Sequence, residues 1–433
     1  MKEKPNIILF ITHDQGQFAG CYNTPKTPNS LKTPNIDKIA EKGIRFTNYF
    51  CTAPQCSPSR GAIQTSLYPH QNGLMGLVDH GWTLPERNKT LPMYLKEQGY
   101  TTHLIGYQHE SFNAKTLGYD SISKRKSEIL YTCQKLNKSY QKFFAEHKND
   151  KKPFYLCMGV TQVHRPFRIW GDPVNPSNVL IPPYLSSNKI LQEDLSQFYG
   201  AIEGVDNCIG KIFEALDEFY LKKNTLFIYT TDHGEAYPRA KCTLYDPGLK
   251  TLLLISWPNS TLFQKGKVYD QMISNIDLLP TLLDLIGAKI PKNIEGKSFL
   301  PILQEETKNF RKKIFSEKSF HEYYDPIRSI RTEEFKFIIN FEKFEYLYQL
   351  GADMQRDELG KYMLELINGP RPNEELYDLK KDPYEKNNLI GDPNYKDIKE
   401  KLKEDLFEWM RKTDDPILRG KIKAPSQKPP TQY

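Results

Sequence analysis

The chain has 433 residues, of which 38% are hydrophobic and 26% charged, and its formal net charge is +7. This length exceeds one small core, and the apolar content excludes a disordered chain. The basic balance could attract a polyanion. However, the sequence has no zinc-finger or RNP-like pattern and no long basic run interleaved with aromatic residues, which argues against nucleic acid as a partner.

The first apolar run, residues 6–12, ends at once in a His-Asp pair. The run is too short to span a membrane and has no signal cleavage site, so it predicts a buried strand and no membrane partner. A cytoplasmic location is the default expectation; a periplasmic or secreted one applies if a signal segment was removed. The seven cysteines, at positions 21, 51, 56, 133, 157, 208 and 242, are odd in number and lack metal-finger spacing, which is typical of reduced thiols.

Short apolar runs alternate with helix-like segments along the first three hundred residues. The apolar runs cover residues 6–12, 102–105, 154–158, 225–231 and 252–256, and the amphipathic segments cover 33–42, 90–98, 194–219 and 276–285. The runs lack the alternation of half-exposed strands, which favours parallel strands covered by helices on both faces. The pattern predicts an α/β fold.

The character of the sequence changes after about residue 305. A charged stretch precedes strand-like runs at 329–332 and 335–339, and a long helix is predicted over 395–410, before a tail rich in proline and lysine. We therefore predict a large α/β domain over residues 1–310 and a smaller α+β domain over residues 311–433.

Two of the apolar runs end in a pair of polar residues followed by a glycine. His13-Asp14 follows the first run, and Asp232-His233 follows the run at 225–231. In an open parallel sheet such strand ends meet at one edge, so two carboxylates and two imidazoles can converge on one cation. Each Asp taken alone is better explained as a helix cap, but the repeated pairing favours the cation.

Three further segments carry groups suited to an anionic substrate. Tyr107-Gln108-His109 and His164 each follow a predicted strand, and Lys241 lies just beyond the second polar pair. A single such His or Lys is usually a solvated or structural residue. At successive strand ends, these residues together predict a pocket.

Cys56 lies in the stretch 51–60, which follows a strand-like run at 44–50. A reactive thiolate needs a base or a positive environment, and Arg60 alone is a weak activator. The local signatures of papain-like, caspase-like and thioredoxin-like proteins are absent. A buried packing role would explain a cysteine, but it would not explain the Pro58 and Arg60 that accompany it.

Cys56-Ser57-Pro58-Ser59-Arg60 resembles the Cys-x-Pro-x-Arg signature of type I sulfatases, in which a separate modifying enzyme oxidises that cysteine to formylglycine (3-oxoalanine). Further motifs of the family are matched along the chain by Thr33-Pro-Asn-Ile-Asp37, Gly106-x-x-His109, His164-x-Pro166, Thr231-Asp-His-Gly234, Lys241-x-x-x-Tyr245, Asp277-Leu-Leu-Pro-Thr-Leu282 and Glu375-Leu-Tyr-Asp-Leu379. Within the family the chain is most similar to the N-sulfoglucosamine sulfohydrolase (heparan sulfamidase) branch, through Pro69-His-Gln-Asn-Gly73 and His321-Glu322.

The resemblance implies an alkaline-phosphatase-like α/β catalytic domain with a small antiparallel sheet in the C-terminal domain. It implies hydrolysis of sulfate esters or sulfamates of saccharides, with glycosaminoglycan-type glucosamine units favoured. The implied partners are the sulfated saccharide and the enzyme that makes formylglycine. The oligomeric state is left open.

The resemblance also implies roles for individual residues. A divalent cation would be held by Asp14, Asp232, His233 and residue 56, with His13 as a further ligand. Arg60 would steady the formylglycine, and His109 would deprotonate its diol in the release step, while His164 and Lys241 would bind sulfate and protonate the leaving group. The expected substrate contacts are Tyr107, Gln108, His321, Glu322, Arg328 and Arg331.

The sequence departs from the usual family pattern at three of these positions. His13 stands where the family has Asp, His233 where it has Asn, and Tyr107 where it has Lys. Calcium is the family's usual ion, but nitrogen donors in place of oxygen make manganese or zinc possible. The Asp-His ending and Gln15 beside Asp14 also allow a phosphonate monoester or phosphodiester hydrolase of the same superfamily. An inactive, sulfoglycan-binding relative is the non-enzyme alternative.

Overall fold

The structure is a computed structural model that describes residues 4–22, 31–123, 132–355 and 357–426. Its strands are β1 (Asn6–Thr12), β2 (Ile44–Phe50), β3 (Thr101–Gly106), β4 (Ser121–Ser123), β5 (Phe154–Gly159), β6 (Thr225–Thr231), β7 (Lys250–Ser256), β8 (Lys267–Tyr269), β9 (Ile273–Ser274), β10 (Ile314–Phe320), β11 (Tyr324–Arg331), β12 (Phe335–Asn340) and β13 (Glu374–Asp378). Its helices are α1 (Pro34–Lys42), α2 (Cys56–Thr65), α3 (Pro69–Asn72), α4 (Leu91–Glu97), α5 (Cys133–His147), α6 (Lys189–Glu218), α7 (Asp246–Leu249), α8 (Leu278–Leu285), α9 (Leu300–Leu303), α10 (Asp357–Leu366) and α11 (Lys396–Lys412).

In the described ranges, nine strands form one central sheet in the order β4-β3-β5-β1-β6-β7-β2-β8, with β9 also paired to β2. All of its pairings are parallel except those of β7, which runs antiparallel to both β6 and β2. The predicted α/β fold with a mostly parallel sheet is confirmed. The expectation that the run at 252–256 is a parallel strand is wrong, because residues 232–249 return the chain to the same edge of the sheet with only the one-turn helix α7 between the strands.

The central sheet is buried on both faces, which explains the unbroken apolar runs. In β1, Ile8 and Phe10 pack on the side of α1, α5 and α6, whereas Ile7 and Leu9 pack on the side of α4 and α8. Since successive side chains of a strand point to opposite faces, both sets must be apolar when helices cover both faces. No helix of the described ranges is long and apolar enough to cross a membrane.

Strands β10 to β13 form an antiparallel sheet that packs against α11, as expected for the C-terminal part. The division of the chain at residue 310 stays a prediction. This second sheet supports the loop that precedes α2: Glu317 donates its N–H to the Thr52 carbonyl at 2.8 Å, and the Gln55 side chain donates to the Phe320 carbonyl at 2.7 Å. Strand β10 therefore helps to fix the start of α2, where Cys56 lies.

Candidate active site

The register of the central sheet brings the two polar pairs together. Thr12 of β1 lies opposite Thr231 of β6, so the residues that follow both strands emerge side by side. The chain turns sharply at Asp14, whose φ is +54°, a left-handed conformation that Asp tolerates better than most residues. The Asp14 N–H donates to Asp232 Oδ1 at 3.0 Å, and His233 Nε2 lies 3.1 Å from Asp14 Oδ1.

Five possible metal ligands converge at this edge of the sheet. They are His13, Asp14, Cys56, Asp232 and His233; all are buried, and one ligand atom of each lies within 4.8 Å of the others. Two carboxylates, two imidazoles and a thiol sulfur form a donor set of the kind that divalent cations bind. The cation site predicted from the strand ends is therefore compatible with the geometry.

Burial and charge prepare these side chains to act as ligands. Burial lowers the pKa of His13 to about 4, so its imidazole is neutral at pH 7 and has a nitrogen lone pair free to bind a metal. Burial alone would raise the pKa of Asp14, but Lys241 and the neighbouring imidazoles hold it well below its usual value. The neutral imidazole of His13 and the ionised carboxylate of Asp14 both favour metal binding, since metal ligands must be deprotonated.

Cys56 is the first residue of α2 and one of the five converging side chains. Its Sγ lies 3.4 Å from His233 Nε2 and 3.9 Å from His13 Nδ1. Burial raises the pKa of the thiol well above its usual value, against the opposing effect of Lys241. An unmodified Cys56 therefore stays protonated and is a poor nucleophile.

Arg60 lies one helical turn beyond Cys56 and joins α2 to the strand ends. Its Nε donates to Asp232 Oδ2 at 3.0 Å and its Nη2 to the Thr12 carbonyl at 2.9 Å. The guanidinium carbon lies 5.3 Å from the centre of the Tyr107 ring, which also lies near the rings of His13 and His109. Tyr107 is thus a wall of the site, although it adds no positive charge where a lysine would.

Lys241 and His164 lie near the second carboxylate oxygen of Asp14, Oδ2, whereas His233 lies near Oδ1. Lys241 Nζ lies 2.6 Å from Asp14 Oδ2 and 3.3 Å from His164 Nε2. Burial would lower the pKa of Lys241, but Asp14 and Asp353 raise it well above its usual value, so the ammonium stays charged. The side chain of His164 is 32% exposed whereas that of Lys241 is buried, so His164 is the member of the pair that reaches solvent.

His109 is oriented by Asp79, a residue that sequence reasoning missed. His109 Nε2 lies 3.2 Å from Asp79 Oδ2, and the His109 Nδ1 atom is buried without a hydrogen-bond partner. Asp79 lies in a short 3₁₀ turn, Val78–His80, which the Val78 N–H anchors to the Ser57 hydroxyl at 3.1 Å. The same turn thus contacts the residue after Cys56 and the imidazole of His109.

Arg328 and Arg331, two of the expected sugar contacts, lie elsewhere. Arg328 has no exposed surface and forms a two-point ion pair with Asp415, and Arg331 is paired with Asp246. The expectation that they contact substrate is wrong: strand β11 is covered on both faces, and its arginines neutralise buried carboxylates instead of facing solvent.

Replacing Arg328 with methionine is expected to destabilise the fold by about 3–5 kcal/mol, because it leaves Asp415 and Glu317 as buried charges without their cation. The free energy of unfolding, measured in guanidinium, checks this prediction. The matched control is Arg168→Met at an exposed position, where a change within about 0.5 kcal/mol is expected. A loss below about 1 kcal/mol for Arg328→Met would contradict the assigned role.

Three further expected substrate contacts make structural hydrogen bonds instead: Gln108, His321 and Glu322. The Gln108 side chain accepts the N–H groups of Glu110 and Ser111 and so holds its own turn. The His321 ring contacts the Glu322 carboxylate, which accepts the N–H of Ala352 at 2.9 Å. The geometry does not favour direct substrate contacts for these three residues; His321 and Glu322 support the loop that carries Asp353.

Asp353 is the second functional residue that sequence reasoning missed. It lies in a 3₁₀ turn, Ala352–Met354, and its Oδ2 is 2.8 Å from Lys241 Nζ and 3.6 Å from His164 Nε2. Asp353 follows no apolar run, and Asp79 follows the apolar residues 74–78, which form a loop and the start of a 3₁₀ turn and not a strand. The rule that functional groups gather at strand ends therefore did not identify either residue. Only the packing of both turns against the site reveals them.

Comparisons with known proteins give two matching family models and several relatives. The family model "Sulfatase" matches residues 5–288, and the model "N-sulphoglucosamine sulphohydrolase, C-terminal" matches residues 234–363. An ulvan-active sulfatase of Formosa agariphila is 31% identical to this chain, over 98% of the chain and 84% of the relative. The human N-sulphoglucosamine sulphohydrolase is 26% identical, over 95% of the chain and 91% of the relative.

A solved structure also shares the fold. It is a complex of a protein with its substrate D-glucosamine-2-N,6-O-disulfate, and it superimposes with a TM-score of 0.72 at 20% identity, covering 95% of this chain and 98% of that one. At this level of identity the likeness concerns the fold.

Proposed function

The chain belongs to the sulfatase family and is a sulfuric ester hydrolase or sulfamidase, and from this premise we propose that it cleaves sulfated saccharides built on glucosamine, using a formylglycine made from Cys56 and a bound divalent cation. The observation that carries the proposal is the position of Cys56. Its sulfur lies between two imidazoles at 3.4 and 3.9 Å, inside a buried set of metal ligands and at the start of a helix. A buried packing cysteine has no need of such neighbours.

The residues present fit the two groups that this chemistry requires. Asp14, Asp232, His233 and His13 would hold the cation together with residue 56. Calcium remains our first choice, while the two imidazole donors are also compatible with manganese or zinc. When bound, the cation and the formylglycine supply a nucleophilic oxygen at neutral pH, which a protonated thiol cannot provide.

The protein's own side chains bind the substrate and move protons. The fixed positive charge of Lys241 suits it to bind sulfate oxygens, and the exposed edge of His164 suits it to protonate the leaving oxygen or nitrogen. His109, oriented by Asp79, has an unpaired Nδ1 that can accept a proton. Arg60 holds Asp232 and α2 in a fixed relation.

The choice of glucosamine rests on several similarities. The second matching family model and the human relative are both named for N-sulphoglucosamine, and the solved complex contains a disulfated glucosamine. The phosphonate hydrolase alternative loses one of its supports, since Gln15 does not face the site. Its Oε1 accepts hydrogen bonds from Thr12 and Tyr229, and its Nε2 donates to the Phe18 carbonyl.

A substrate panel tests the proposal. Matured enzyme is expected to turn over N-sulfated or O-sulfated glucosamine at least about a hundredfold faster, in kcat/KM, than a phosphonate monoester with the same leaving group. Substitution of Lys241 by alanine should lower kcat/KM for the sulfated sugars. Faster turnover of the phosphonate would overturn the sulfatase assignment, and faster turnover of a non-sugar aryl sulfate than of every sulfated glucosamine would overturn the substrate class.

A further inference from the structure

We propose that Asp353 is a positioning residue that occupies the sulfate-binding face of Lys241 in the substrate-free enzyme and thereby lowers its affinity for inorganic sulfate, the product. The inference rests on the proposed function, because it takes Lys241 and His164 as the groups that bind sulfate. Asp353 comes from the 3₁₀ turn Ala352–Met354, far along the chain from both of them.

The hydrogen-bonding capacity of Lys241 is used up in this structure. An ammonium has three N–H donors, and three atoms surround Nζ: Asp14 Oδ2 at 2.6 Å, Asp353 Oδ2 at 2.8 Å and His164 Nε2 at 3.3 Å. Asp14 belongs to the metal site and cannot leave. A sulfate oxygen that binds Lys241 beside His164 must therefore take the place of the Asp353 carboxylate.

The carboxylate of Asp353 is held in a way that allows displacement. Its Oδ2 is paired with Lys241, but its Oδ1 is buried without a hydrogen-bond partner. Leaving this position costs the ion pair with Lys241 and the 3.6 Å contact with His164 Nε2, and Oδ1 has no hydrogen bond to lose. In contrast, the turn itself is anchored, because the Ala352 N–H donates to Glu322.

Competition of this kind has a direct consequence for the product. Sulfate and the Asp353 carboxylate are both anions, so only one of them can pair closely with Lys241. The side chain returns to Lys241 when sulfate leaves, which favours release of sulfate. A substrate meets the same competition, but the additional contacts of its sugar keep its affinity above that of the bare ion.

Calorimetric titration of sodium sulfate into calcium-loaded protein with unmodified Cys56 tests the proposal without any turnover. Asp353→Asn is expected to bind sulfate roughly tenfold more tightly than the wild type, or better. Glu358→Gln, which removes one negative charge from an exposed position a few residues away, should leave the affinity unchanged. A merely structural role of Asp353 would weaken binding, which is the opposite sign.

A second variant tests the contact between Asp353 and Lys241 by displacing the carboxylate instead of removing it. A methyl group added at Gly351 would lie 2.5 Å from Asp353 Oδ1, while the Gly351 backbone, with φ −62° and ψ 149°, accepts alanine without strain. Gly351→Ala should therefore push the carboxylate from Lys241 and also tighten sulfate binding. Lys241→Ala should abolish the gain in both variants.

Sulfate affinity that is unchanged, weaker or absent in Asp353→Asn overturns the proposal, as does a gain that persists when Lys241 is also replaced. These outcomes are separate from the fate of the proposed function. If sulfate binds as expected but matured enzyme hydrolyses no sulfated sugar, the function fails while the role of Asp353 as a competitor for Lys241 stands.

Discussion

Replacement of Cys56 by alanine is expected to abolish sulfate hydrolysis, with kcat reduced by a factor on the order of 10⁴ or more, as for other enzymes that lose their nucleophile. The sulfur position is central to the buried ligand set, and no other described side chain there offers a group that can take over. The fold should survive, because alanine fits the same buried helix start and leaves the ion pair of Arg60 with Asp232 intact.

Two measurements separate the role of Cys56 from that of a packing residue. The peptide containing residue 56, purified from a host with the modifying enzyme, should have the mass of formylglycine, and activity should scale with the fraction converted. Cys51→Ala is the matched control: this buried thiol lies five residues earlier, where its Sγ faces the Gly248 carbonyl at 3.6 Å. Cys51→Ala should keep most of the activity. Full activity in Cys56→Ala, or in protein with only unmodified cysteine, would contradict the mechanism.

The parts of the site that follow strands were predictable from sequence, and the reason is geometric. A strand of a covered parallel sheet appears as a short apolar run, and the first polar residues after it must lie at the edge where the other strands end. His13, Asp14, Asp232 and His233 could be placed together in this way, and in the structure one possible ligand atom of each lies within 4.8 Å of the others.

The remaining parts of the site depend on packing between distant segments and do not lie at the end of a strand. Asp79 and Asp353 lie in 3₁₀ turns that reach the site only because α2 and the second sheet position them. Arg328 shows the converse error. Its place on a strand predicts a sugar contact, but Asp415, 87 residues later in the sequence, pairs with it in the interior.

Removal of the divalent cation is expected to abolish activity and to lower the stability of the folded state. The reason is that the cation binds the folded site and not the unfolded chain. At a free ion concentration about a hundred times the dissociation constant, this linkage contributes about 2.7 kcal/mol to the free energy of unfolding. A chelator should remove this contribution together with the activity, and readdition of calcium should restore both. Thermal melts and rates measured over a calcium titration check the prediction, and activity that persists in protein shown to be free of metal would contradict it.

The two imidazoles at the site allow a sharper test of which ion it prefers. A His13→Asp, His233→Asn double variant replaces both nitrogen ligands by oxygen, so its relative affinity should shift toward calcium and away from manganese and zinc, by roughly tenfold or more. His147→Asn, on α5 and outside the ligand set, is the control and should leave the preference unchanged. The comparison isolates ligand chemistry from overall charge only if His13→Asn is measured as well, since that variant removes a nitrogen donor without adding a carboxylate. If His13→Asn binds calcium and manganese in the wild-type ratio, His13 orients Asp14 through their 2.7 Å contact and does not bind the ion itself.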